Sequence, residues 1–178
     1  SNLVLVVGCG GASTAPVVPG EVVSTGGNAN GGAGGASAGL PSPGARTPLA
    51  LAPGFVPRPT VARGTPGGPA DASTLDPYCI GSMPRAPQHV LEVTAPLPYL
   101  AIGAYGSVDL TIAVRLPDGT WLCNDDWDGL NPRVEGAVGR GRVDVFVGTY
   151  GSASQGSGDY AIGFSEDPAF MPSMLPLP

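Results

Sequence analysis

Three carboxylates fall within four residues at Asp125, Asp126 and Asp128, and Gly129, Asn131 and Pro132 follow closely. Like charges at that density repel one another unless they are solvated, neutralised or bound to a cation. Calcium takes six to eight oxygens in flexible geometry, and Asp125, Asp126, Asp128 and Asn131 can supply several of them alongside loop carbonyls. Asp109 adds another ligand if the start of its strand lies nearby. The spacing departs from an EF-hand, with no Gly at the sixth position and no Glu at the twelfth. A site here is therefore of the looser extracellular sort, with a dissociation constant of ~0.1–1 mM. The same residue types equally make a solvated Asp-Gly turn whose acids cap backbone N–H groups. Trp127 sits in the middle of the run, where its ring either stacks on a ligand or packs under the loop.

Other chemistry is thinly represented. A hydrolytic or transfer enzyme needs a positioned nucleophile, a base or a metal. The single histidine, His89, stands at the start of a strand-like run, where a surface or capping role is the ordinary one. The acidic cluster is too compact in sequence to flank a sugar ring from both sides as glycoside hydrolysis requires. Gly35-Ala36-Ser37-Ala38-Gly39 matches G-x-S-x-G, but a nucleophile elbow needs a strand before it and a helix after it. Neither fits a run of Gly, Ala and Ser. The expectation is a protein without catalytic residues.

Stepping outward from the acidic run, β-patterned segments surround it. Leu110, Ile112, Val114 and Leu116 alternate with Thr111, Ala113 and Arg115, a clean period of two. Pro117-Asp118-Gly119 reads as a hairpin turn, because Pro pre-sets φ and Gly accepts a positive φ. Trp121-Leu122-Cys123 returns beside that strand. His89–Thr94, Tyr99–Tyr105, Arg133–Glu135, Val143–Tyr150 and Asp159–Phe164 complete the set, and no stretch of useful length carries a helical period. About seven to eight short strands at regular spacing predict an all-β antiparallel sandwich over residues 75–167.

The 178 residues include 29 Gly and 21 Pro, and all eight basic residues are Arg. Much of the Gly and Pro lies in residues 9–74, which read as a flexible linker too poor in apolar surface to offset the entropy of ordering. As a coil it would span about 40–50 Å. Residues 168–178 read as a loose Pro-rich tail, unless Phe170, Met171, Met174 and Leu175 cover a sheet edge. The net charge is −6, concentrated in the sandwich, so nucleic acid is a poor partner.

Ser-Asn-Leu-Val-Leu-Val-Val-Gly over residues 1–8, ending at Cys9, resembles the end of a bacterial lipoprotein signal peptide. The resemblance implies cleavage before Cys9, lipidation of its thiol and a membrane attachment. With Gly10 rather than Asp next, it points to the outer membrane or cell surface. Export also predicts a disulfide between the remaining cysteines, Cys79 and Cys123.

The run from Cys79 to Phe164 resembles the bacterial pre-peptidase C-terminal domain family. The resemblance is carried by Asp109-Leu110-Thr111-Ile112-Ala113-Val114-Arg115, Pro117-Asp118-Gly119, Cys123-Asn124-Asp125-Asp126, Asp128-Gly129-Leu130-Asn131-Pro132 and Val147-Gly148-Thr149-Tyr150. It implies a jelly-roll-like β-sandwich found on secreted peptidases and other exported proteins. Such domains are not themselves catalytic, and some bind calcium or extracellular polymers. Three functions follow as expectations. One is a surface module binding an extracellular glycan or protein through loops and Trp127. The others are a structural, self-assembling envelope protein and an accessory subunit of a secreted hydrolase.

Overall fold

The computed structural model describes residues 47–151 and 158–176. Cys9, the signal-like run, the Gly35–Gly39 match and the first part of the expected linker lie outside them. Eleven strands and two short 3-10 turns are formed by the described residues. The strands are β1 (Leu49–Leu51), β2 (Thr60–Gly64), β3 (Ala70–Asp71), β4 (Ser82–Met83), β5 (His89–Val93) and β6 (Leu97–Gly106). They continue with β7 (Leu110–Arg115), β8 (Trp121–Asn124), β9 (Arg133–Val138), β10 (Gly141–Thr149) and β11 (Tyr160–Ser165).

Two sheets result, as the alternation pattern predicts. In the seven-stranded sheet β10 is the hub, antiparallel to β5 and β4 and, independently, to β7, which pairs in turn with β8. The second sheet runs β2-β11-β6-β9. Every pair is antiparallel except β1 with β5, which run parallel from Leu49 opposite Leu91 to Leu51 opposite Val93.

Inward-facing Leu91, Val93, Ile112, Val114, Val145 and Ile162 are fully buried between the sheets. The outer faces are partly covered as well, so β7 and β11 are buried along nearly their whole length. That is why these strands read as apolar runs as much as alternating ones. On one outer face Cys79, Met83, Ala113 and Phe146 form a second cluster. On the other, Phe170 and Leu175 pack over Ala101 and Ala161. Gly163 makes the room: a Cβ there would lie 2.7 Å from the Phe170 ring and 2.9 Å from Leu175.

The Pro117-Asp118-Gly119 turn forms as expected. Gly119 adopts φ +91° and its N–H donates to the Leu116 carbonyl, while Asp118 Oδ1 accepts the Thr120 N–H at 2.9 Å.

Two expected boundaries are corrected. Ordered β-structure begins at Leu49, not at Leu75, because three short strands between Pro-rich turns find hydrogen-bond partners later in the chain: β1 on β5, β2 on β11 and β3 on β4. Strand β2 pairs along β11 from Thr60–Phe164 to Gly64–Tyr160. The tail is not loose either: it folds into a 3-10 turn at Pro172–Met174 and caps a sheet face rather than an edge.

Candidate ligand-binding end of the sandwich

The acidic run links β8 to β9 and is tied down at every stage. Asn124 Oδ1 accepts the Arg133 N–H at 3.0 Å and closes its base. Within it, the N–H groups of Trp127 and Asp128 both donate to the Asn131 carbonyl, and Gly129 takes φ +65°. The Asn131 side chain donates to the Asp128 carbonyl and accepts the Gly106 N–H. Leu110 N–H donates to the Leu130 carbonyl and Ala104 N–H to the Pro132 carbonyl, so β6 and β7 anchor the loop.

The five residues singled out for a cation divide into two groups. Hydrogen bonding from the Ser173 side chain, and then from its N–H to Asp128 Oδ2 at 2.9 Å, holds the Asp128 carboxyl below the usual Asp range. Asp128 and Asn131 thus act as turn and tail fasteners, the role expected of an Asp-Gly loop. Asp109, Asp125 and Asp126 form the other group. Asp109 Oδ1 is buried without a hydrogen-bond partner. Burial raises the Asp109 pKa, and the charges of Asp126 and Asp125 raise it further. A buried carboxylate oxygen facing like charges is what an oxygen-seeking cation would relieve, so these three fit calcium in donor chemistry. Among the described residues no group of three or more His, Cys, Asp or Glu is yet drawn together around a common point.

Trp127 is held against a cation on one side and open on the other. One side meets Arg133, whose Cζ lies 4.8 Å from the ring centroid, while the residue stays 45% exposed. Arg133 is itself only 3% exposed. Its Nη2 lies 2.6 Å from Glu135 Oε2, donates to the Tyr99 hydroxyl at 2.6 Å and reaches the Pro168 carbonyl at 3.1 Å. Tyr99 in turn donates to Glu135 Oε2. Burial, and then this bond to a carboxylate, push the Tyr99 pKa up to about 12.

The Arg133–Tyr99–Glu135 network was not anticipated. Its only trace in sequence is an Arg placed two residues before a Glu at a strand start, on the same side by the period of two.

Cys79 and Cys123 are disulfide-bonded, with Cα atoms 5.3 Å apart. The bridge lies on the outer face of the larger sheet, near Trp121, whose ring packs 5.7 Å from Phe146. His89 is buried rather than at the surface: its Nε2 is 2.6 Å from the Tyr160 hydroxyl, inside the sandwich.

Among the described residues, large apolar side chains that remain exposed include Ile80, Trp127, Leu130 and Tyr150. Two of them are tied by hydrogen bonds to β7 and the residue before it. Thr111 Oγ1 donates to the carbonyls of both Ile80 and Asn124, and Tyr150 N–H donates to the Asp109 carbonyl.

No protein-family model matches the chain, and no curated protein matches it. Among solved structures, it is similar to the pre-peptidase C-terminal domain of a collagenase from Bacillus anthracis. The two share 12% identity and a TM-score of 0.41, over 67% of this chain and 98% of that domain.

Proposed function

We propose that this protein is a non-catalytic module of the cell envelope, lipid-anchored through Cys9, whose acidic-loop end binds an extracellular polymer. The observation that carries this reading is Trp127, an aromatic ring left 45% exposed yet backed by the buried Arg133. A rigid, half-exposed aromatic contributes contact area at small entropic cost. The exposed apolar neighbours Leu130 and Tyr150 extend the same surface.

Structural calcium belongs to the proposal. Asp109, with Asp125 and Asp126, would hold it, and the partnerless Asp109 Oδ1 supports that choice. The ion would neutralise charge and fix the loop that presents Trp127.

The test is a glycan array and a pull-down with the full chain, beside Trp127→Ala. A saturable polymer ligand lost in the variant supports the reading. Self-association without a ligand would instead indicate a structural envelope protein, and one co-purifying hydrolase would indicate an accessory subunit. Binding unaffected by Trp127→Ala would remove the loop from the site.

A further inference from the structure

Next to the acidic loop lies an open cleft of about 620 Å³, within the size range of small-molecule sites. Its apolar walls are Ile80 and Tyr150, 44% and 51% exposed. The backbone N–H of Tyr150 is held by the Asp109 carbonyl, and the carbonyl of Ile80 by the Thr111 hydroxyl. The backbone beside these walls is closely packed against its neighbours. A Cβ at Gly68 would lie 2.4 Å from the Met83 carbonyl oxygen, and one at Gly81 would lie 2.5 Å from that of Thr149.

The polar groups of the cleft are mostly acceptors. Asp71 accepts the Ser73 N–H and hydroxyl, both on Oδ1, which lowers its pKa and keeps it ionised. Ser82 gives its hydroxyl proton to the Gly151 carbonyl at 2.6 Å, leaving its oxygen to accept. No lining residue is basic.

We propose that this cleft is a second binding site, for a sugar ring that carries no anionic group. Such a ring supplies C–H faces for Tyr150 and Ile80 and hydroxyl donors for Asp71 and Ser82 at once. An anionic sugar would face Asp71 and find no basic side chain among the described lining residues. A basic peptide would use Asp71 but leave the aromatic wall and the neutral acceptors largely idle. Because Thr111 bridges Ile80 to Asn124, the cleft adjoins the loop bearing Trp127, so one extended polymer could occupy both. The proposal goes beyond the Trp127 reading and does not require it.

The test uses the full chain on a panel of neutral, amine-bearing and anionic hexasaccharides plus an oligolysine peptide, followed by titration of the tightest ligand. Neutral or amine-bearing sugars should bind and anionic ones should not. Tyr150→Ala should weaken binding about tenfold or more, while Tyr150→Phe keeps it. Asp71→Asn should weaken it several-fold, with melting temperature unchanged in each variant. Binding lost in Trp127→Ala but intact in Tyr150→Ala overturns the cleft and leaves the loop reading standing; the reverse pattern does the opposite. Retention of anionic sugars, preference for oligolysine, or no sugar binding at all also overturns the cleft.

Discussion

The guanidinium of Arg133 lies 4.8 Å from the centre of the Trp127 ring while bonded on its other flank to Tyr99 and Glu135. A nearly buried cation thus backs one side of an exposed aromatic. Arg133→Ala should cost about 2 kcal/mol of stability, from lost stem packing and a broken ion pair. The cost stays below that of a fully buried pair because Glu135 remains 36% exposed and solvated. In a Trp121→Phe background, Trp127 emission should shift to the red and quench more readily. An unchanged spectrum would mean that the loop alone orients the ring.

The disulfide joins two cysteines 44 positions apart in sequence. Chain-entropy arguments put its worth at about 4 kcal/mol, with measured values commonly lower. Cys123→Ser should therefore lower stability by about 2–4 kcal/mol, and reducing agent should lower the wild-type melting point alone. Free-thiol labelling of both cysteines in the native protein would contradict the bridge.

Asp109 ties stability to pH. Its folded pKa is raised, so the ionised form opposes folding; the penalty is present at neutral pH and is relieved as pH falls through the folded value. Asp109→Asn should raise the melting point at pH 7, and the gain should vanish below about pH 3.9, the ordinary Asp value. Millimolar calcium should raise the wild-type melting point by mass action, magnesium should not, and Asp109→Asn and Asp126→Ala should abolish the rise. A flat response to calcium would leave the loop as a turn.

The tail is a structural element to be tested directly. Phe170, 3% exposed over Gly163, should cost about 3 kcal/mol when replaced by Ala. Gly163→Val should disturb the same contact from below, by about 1–3 kcal/mol of overpacking. Urea melts of the two single variants and their combination check the coupling: the double variant should lose less than the sum.

Lipidation at Cys9 predicts that the protein, expressed with a lipoprotein leader, incorporates labelled palmitate and fractionates with membranes. Cys9→Ser should do neither. Equal labelling of both would remove the anchor from the proposal.

Much of the sandwich was legible because its strands announce themselves by period and turn chemistry. Leu110–Leu116 and the Pro117-Asp118-Gly119 turn are local signals, and they formed as local signals do. What stayed hidden depends on distant partners. Thr60–Gly64 is a strand only because β11 offers it an edge, and Phe170 is buried only because Gly103 and Gly163 lack side chains. At the candidate site, residue types identified the loop but not its division of labour. That Asp128 fastens the tail while Asp109 is stranded follows from which strand ends meet, which spacing along the chain does not encode. Tyr150 reads as an ordinary strand-end residue and Ile80 carries no signal of its own until the fold leaves them on one cleft.

The position of β10 has a consequence for how this chain acquires its shape. It is the shared neighbour of β4, β5 and β7, and β11 joins β2 to β6 across almost the whole ordered length. Neither sheet can close until residues near 149 and 165 are available, whatever has been synthesised before them. Contacts this distant in sequence exact loop-closure entropy before they return any stabilisation, so folding should be slow and late rather than progressive. Fragments ending before Thr149 should remain uncollapsed and protease-sensitive, which would keep the growing domain threadable until β10 has been made.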